Sequence, residues 1–545
     1  MFDKTGGIKY NLVTMFVAVR KSKQRGKTYF SAQIAEGYRN EEGKVRHRTL
    51  LDISSLGMDR ILAVKAALQG RSIVDWDSLE GLAALDFGIT YVAEQVLKSA
   101  GFPEILGDEG AKRYPTILAM IANRLDSPCA KYSLCNWARR TSLWTYPDII
   151  PEKQFHYKSC YEALDFLEKN QVAIENALYE RRGKPARLFL YDVTSSYFEG
   201  RKAEIAKFGY SRDHRKDRKQ IVIGLVTDID GLPICAEVFE GNTRDCSTVV
   251  EKINDLKKRF VVEKACFVGD RGMRTEANVE HIKKEGIDFI TALCNREVLK
   301  LVEENGPVQM GLFDERGIAE VSLKGRRLIV CRNPIAGEDT KRRRDALLQK
   351  TDDALKKVAK RVASGRLKKA DAIRKAIDRA FTKWKMEKFF RVTVEDGQFK
   401  YEKNEETLAA AARLDGVYVL ETSLTPDEMR VEEVQSSYKL LQVVERAFRA
   451  AKNELRIRPV YHWKESRIRG HVFLCFLAYF VERRLQLGLK TLPEDSQPEW
   501  KAVVEGLRGW RRVSVTGRPT LKAHHPGFTP EIAQYLTAWD IPFPK

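Results

Sequence analysis

ARLFLYDVTSSYFEG, residues 186–200, opens on an apolar and aromatic run and reads as a buried strand ending at Asp192. After it, QIVIGLVTDIDGLPICAEVFEGN (220–242) reads as two strands about Asp230-Gly231, a strong hairpin signal. The segment STVVEKINDLKKRF (247–260) has helical spacing and leads to the strand KACFVGD (264–270), which ends at Asp270. A second helix, TEANVEHIKKEG (275–286), precedes the strand IDFITAL (287–293). Three antiparallel strands followed by two helix–strand units set the first and fourth strands side by side. Asp192 and Asp270 are therefore expected to emerge next to each other.

A third acid stands later in the chain. In YKLLQVVERAFRAAKNEL (438–455), Tyr438, Leu441, Glu445, Phe448, Lys452 and Leu455 share one helical stripe. Leu441, Phe448 and Leu455 mark that stripe as inward-packing, so Glu445 and Lys452 are expected to point toward protein. A carboxylate there is costly unless it is paired, hydrogen-bonded or holding a metal. Taken singly, each acid has a plain reading: a strand-end turn for Asp192, a loop cap for Asp270, an ion pair with Lys452 or Arg449 for Glu445. Together, two strand ends and a packing helix suit a site for two divalent cations, which take hard oxygen ligands. Such a pair activates a water or 3′-hydroxyl and stabilises the leaving oxygen of a phosphoryl displacement. The expectation is a metal-dependent enzyme acting on phosphodiesters.

The fold class expected is α/β, a ribonuclease-H-like mixed-sheet core with an inserted α+β domain, preceded by a small β-meander and a helical domain. Residues 1–57 are expected to hold the meander: from 15 to about 55 they alternate apolar and polar in short runs and carry Lys21, Lys23, Arg25, Lys27, Arg46 and Arg48, either a solvated sheet or a DNA-contacting arm. Met15 is an alternative start, which would make the first fourteen residues a weakly structured leader. Residues 58–185 are helical, 186–295 form the first part of the core, and 296–415 are the insertion. Its stretch from Thr340 to Lys388 is rich in Lys and Arg, a solvated face or a DNA contact. The core closes over 416–487, and 488–545 is a C-terminal segment suited to oligomerisation.

The chain has 545 residues and a net charge of +20, which suits an approach to a polyanion rather than a small metabolite. Nine cysteines, scattered from Cys129 to Cys475 without CxxC spacing, argue for reduced thiols, against a structural zinc site and for a cytoplasmic, nucleoid-associated protein. HVFLCFLAYF (471–480) is too short to span a bilayer, so no membrane partner is expected.

These residues resemble DDE transposases of the insertion sequence four family, whose signature is Tyr, two residues, Arg, three residues, Glu, six residues, Lys. Tyr438, Glu445 and Lys452 stand at that spacing, with Leu441 in place of the arginine. YDVTSSYFEG, GYSRDHRKDRKQ, EGNTRD, GDRGM and RPVYHW (458–463) are also similar to family sequence, and MFVAVRK…GKTYFSAQI…GKVRHRTLLD resembles one branch. The resemblance implies a catalytic trio of Asp192, Asp270 and Glu445 holding two Mg²⁺ ions, with Mn²⁺ as a substitute. It implies phosphate contacts from Tyr438 and Lys452, DNA partners (element ends and target), and a homodimer in a synaptic complex. Arg212, Arg215 and Lys219, in a cationic loop with His214, Lys216 and Arg218, are further candidates, as are Arg456 and Arg458. Asp213 and Asp217 are expected to be local salt-bridge partners in that loop. His462 and Trp463 are expected to pack an elbow between helices, and His471 to be a satisfied core histidine. Leu441 removes the arginine that serves the family's hairpin step; Arg446 and Arg449 are nearby substitutes off the family position. The alternatives are a ribonuclease-H-like nuclease without strand transfer and a DNA-binding protein without catalysis.

Overall fold

A computed structural model describes residues 14–24, 27–71, 82–145, 149–183, 186–200, 202–260, 266–302, 317–515 and 525–544. Residues 1–13 of the expected leader and Arg25 lie outside them, whereas Thr14 opens the first strand. The chain divides into two compact units, one built from residues 1–86 and 509–528 with the last two residues, the other from 87–508 and 529–543.

In the first unit, Thr14–Gln24 (β1), Lys27–Arg39 (β2) and Val45–Asp52 (β3) form the antiparallel meander read from the alternating pattern. Val17, Ala32 and Ile53 close against Ile61 of the helix Met58–Leu68, so that helix, expected to open the helical segment at 58, belongs with the meander. Lys21, Lys23, Arg46 and Arg48 lie exposed. Leu82–Asp86 (β4) pairs antiparallel with Arg511–Val515 (β15).

The second unit carries an eight-stranded mixed sheet. Leu188–Tyr197 (β5), Gln220–Thr227 (β6) and Pro233–Phe239 (β7) run antiparallel. Cys266–Gly269 (β8) lies parallel to β5 on its other side, and Asp288–Ala292 (β9) lies parallel to β8. This is the ribonuclease-H-like order expected. β5 does not end at Asp192, however: it continues to Tyr197, paired with β6 after its parallel neighbour has stopped.

Phe189, Tyr191 and Val193 face one side of the sheet and pack with Val249, Ile253, Val279 and Ile282 of the two intervening helices. By the period of two, Asp192 faces the other side. There the helix Leu441–Asn453, which carries Glu445, packs on β5, and the helix Glu465–Leu489 packs on β7. The latter is buried on nearly every face from Gly470 to Arg483. The preceding helices, among them Tyr114–Asp126 and Tyr157–Lys169, pack around it. No helix among the described residues is long and apolar enough to cross a membrane.

Ile318–Leu323 (β10) and Arg326–Arg332 (β11), expected to open the insertion, instead extend the core sheet. β11 pairs with Val417–Thr422 (β14), which pairs with β9. Apolar Leu328, Val330 and Val419 draw these strands onto a cluster with Leu293 and Val298. What stands apart is the chain between β11 and β14. Its helices Pro334–Ala363, Ala370–Trp384 and Glu405–Arg413 and its hairpin, Phe390–Glu395 (β12) with Gln398–Lys403 (β13), enclose Leu348, Leu355, Ile373, Ile377, Phe381 and Phe389. Its two ends meet: the Asn333 amide donates to the Gly416 carbonyl at 2.8 Å, and Arg344 forks onto Asp415. Gly416 sits at φ +73°, so close to the Asn333 carbonyl that a side chain would collide.

Candidate active site

Parallel pairing of Leu188–Tyr191 with Cys266–Gly269 brings Asp192 and Asp270 to the same level, one residue past the last matched pair. Asp270 caps the short turn Arg271–Met273, its Oδ1 accepting the Arg271 amide at 2.7 Å and the Tyr438 hydroxyl at 3.3 Å. The turn is tied to the sheet by Arg274, which donates to Glu421 of β14 at 3.0 Å and to Glu297 at 2.9 Å. Asp192 Oδ1 accepts the Val193 amide at 2.8 Å. Burial pushes the Asp192 carboxyl up to about 7; its neighbours Asp270 and Glu445 add to the rise, while the Val193 amide and Arg212 oppose it.

Glu445 differs from the expectation in one respect: it is exposed, not turned into protein. The predicted single helix is two, Val431–Lys439 and Leu441–Asn453, separated at Leu440. The buried arc of the second is carried by Leu441, Val443, Val444, Ala447, Phe448, Ala450 and Ala451. Small alanines, which a stripe of large apolar residues does not reveal, shift that arc away from Glu445 and Lys452 and leave both at its margin. Leu441 is buried, so the position of the signature arginine presents no cation. Arg446 and Arg449 are exposed.

Among the described residues no three His, Cys, Asp or Glu side chains are gathered into a ready-made metal site. The donor chemistry fits divalent cations all the same. Asp192 is a carboxyl whose proton affinity is raised chiefly by burial and further by the charges of Asp270 and Glu445, a condition that a bound cation would relieve.

The expected phosphate-binding cations are largely engaged. Lys452 donates to Asp213 at 2.8 Å and Arg458 bonds the same oxygen. Arg212 bonds Asp245, and Arg215 forks onto Asp217 at 2.9 and 3.0 Å. Asp217 is thus a local partner as expected, whereas Asp213 reaches out of the loop to the Glu445 helix and the turn after it. Lys219 is exposed; Arg456 is exposed at φ +49° and its carbonyl accepts from Arg124. Tyr438 is half-buried against Asp270.

His462 and Trp463 part company. His462 packs against Tyr161 and His471, but Trp463 is 67% exposed with the Lys202 ammonium over its ring, so it does not fill the elbow. His471 is the satisfied core histidine expected, with Nε2 on the Ile457 carbonyl at 3.1 Å and Nδ1 on Lys131 at 3.2 Å. Sequence reasoning missed Asp245, Glu421, Arg274 and Arg124. Asp245 lies in the quoted EGNTRD motif; the other three carry no local signal, because their partners are distant in the chain.

A family model described as Transposase DDE domain matches residues 183–481, and one described as IS1634 family transposase, N-terminal domain, matches residues 17–74. No curated protein matches the chain. Among solved structures, a piggyBac transposase synaptic complex with hairpin DNA is similar at 8% identity and a TM-score of 0.35, covering 77% of this chain and 78% of that one.

Proposed function

The chain belongs to the transposases with a DDE domain, a family that uses divalent metal ions and acts on DNA, and we propose that it binds the terminal inverted repeats of its own element, cuts to expose 3′-hydroxyls and joins them to target DNA. The observation that carries this reading is the level placement of Asp192 and Asp270 on adjacent parallel strands, with the charge of Glu445 felt at Asp192. Asp192, Asp270 and Glu445 are the residues that would hold two Mg²⁺ ions, or Mn²⁺ in their place, which when bound would supply activation of the nucleophile and stabilisation of the leaving oxygen. Tyr438 fixes Asp270 by its hydroxyl, and Arg212 moderates the acidic cluster from the side. Tyr438, Lys452, Arg212, Arg215, Lys219, Arg456 and Arg458 border a track for the phosphate backbone. Holding two ends at once calls for a homodimer in the synaptic assembly.

Asp192→Asn, Asp270→Asn and Glu445→Gln are each expected to abolish cleavage of an end-bearing duplex while leaving its binding within a few-fold of the parent. Cleavage at the parental rate in any one variant removes that residue from the trio. Products in which a 3′-end is joined to a second duplex separate a transposase from a nuclease that only cuts.

A further inference from the structure

Asp213 is a nearly closed-off carboxylate, its side chain 2% exposed, on which three parts of the second unit converge. Its Oδ1 accepts from Lys452 Nζ at 2.8 Å and from the Arg458 guanidinium, and its Oδ2 accepts from the Tyr197 amide at 3.1 Å. Lys452 follows Glu445 by seven residues on one helix, and Tyr197 follows Asp192 by five on β5. The loop bearing Asp213 is fixed on both sides. The Arg212 amide donates to Ser195 Oγ at 2.8 Å, the Arg215 amide to Ser211 Oγ at 3.1 Å, and His214 holds a left-handed φ of +58°. Beyond the helix, Arg124 donates to the Leu455 and Arg456 carbonyls and His471 bonds that of Ile457, so the turn leading to Arg458 is held as well.

We infer that Asp213 is a positioning residue: it joins the strand of Asp192 to the helix of Glu445 and leaves Lys452 and Arg458 with one net positive charge between them instead of two. The charge count is the physical reason. One carboxylate shared by two cations offsets one of their two charges, and the surplus charge is what a phosphate would meet. In this trio of Asp213, Lys452 and Arg458, the Lys452 and Arg458 side chains are 11% and 25% exposed against 2% for Asp213, so what it shows to solvent is cationic, chiefly through Arg458. The inference rests on the proposed function only in taking the polyanion to be DNA.

The test uses the full chain. Asp213→Asn keeps the shape but removes the charge, and amide exchange without DNA or metal is expected to quicken at least tenfold over 211–219 and 452–460, with β6 unchanged. On a DNA duplex, the logarithmic salt slope of binding is expected to steepen by about one as a second cation is released. End cleavage should slow at least tenfold although binding is not weakened, a split that simple loss of folded protein does not produce. If that variant fails to fold, Arg458→Gln reads the same charge count: with Asp213 in place, the trio falls to zero net charge and the slope becomes shallower by about one. Unchanged exchange in Asp213→Asn, or a slope that neither variant moves, overturns the inference. Altered exchange and slope in a protein whose parent never cleaves DNA uphold it and sink the transposase reading instead.

Discussion

Asp192 shows how one carboxyl ties stability to pH. Its folded titration near 7 stands above the ordinary 3.8, so the folded state binds that proton more tightly than the unfolded state does. Below about pH 3 both states are protonated and the site costs nothing. As pH rises toward 7 the unfolded chain is already ionised, and the folded state loses stability up to on the order of 4 kcal/mol. Metal-free Asp192→Asn is therefore expected to melt higher than the parent at pH 8 and at the same temperature at pH 3. Equal melting temperatures at both values would mean that the carboxyl is not desolvated. The placement of Asp192 and Asp270 was legible beforehand because apolar runs identify strands and strand order sets neighbours. The exposure of Glu445 was not, because a helical stripe gives the angle between residues and not the direction in which the helix is turned. Asp213 was legible only as a loop acid, since its partner Lys452 is 239 residues away.

At the scale of elements, the Glu445 helix is held by its apolar arc. Phe448 is buried and meets Phe476 of the long central helix edge-on, with ring centroids 6.3 Å apart. Phe448→Ala is expected to cost about 3–5 kcal/mol in urea unfolding, in line with emptied aromatic core positions. Because that packing also orients Glu445, cleavage should fall by more than the loss of folded protein accounts for. A stability loss below about 1 kcal/mol would show that the two helices do not depend on this contact. The expectation of one continuous helix from Tyr438 failed at Leu440 for a reason that periodicity does not carry. Leu440 keeps right-handed helical angles, but its carbonyl accepts the Val443 amide in a tighter turn, and the two halves pack on different strands: the first on β8 to β11, the second on β5 and β6. Tyr438 thereby stays against Asp270 while Lys452 reaches Asp213.

For the whole molecule, the insertion is both a separable body and the main reserve of charge. Residues 334–388 hold eighteen Lys and Arg against eight Asp and Glu, half of the net charge of +20 in about a tenth of the chain. Since Asn333 and Gly416 are already hydrogen-bonded, excising 334–415 and joining those two residues through a short turn is expected to leave a core that still unfolds cooperatively. Binding of that core to DNA should weaken and respond less steeply to salt. An unchanged salt slope would assign the basic helices to solvent alone. By itself, the amino-acid sequence determined the central strand order, the two neighbouring aspartates, the meander and the resemblance carried by Tyr438, Glu445 and Lys452. All of these follow from local periodicity and spacing. Only the tertiary structure decided that β10 and β11 complete the sheet, that Glu445 lies at the margin of its packed face, and that Asp213 gathers two of the expected DNA-binding cations. Each of these depends on contacts between segments far apart in the chain, where packing and charge pairing, not local pattern, choose the partner.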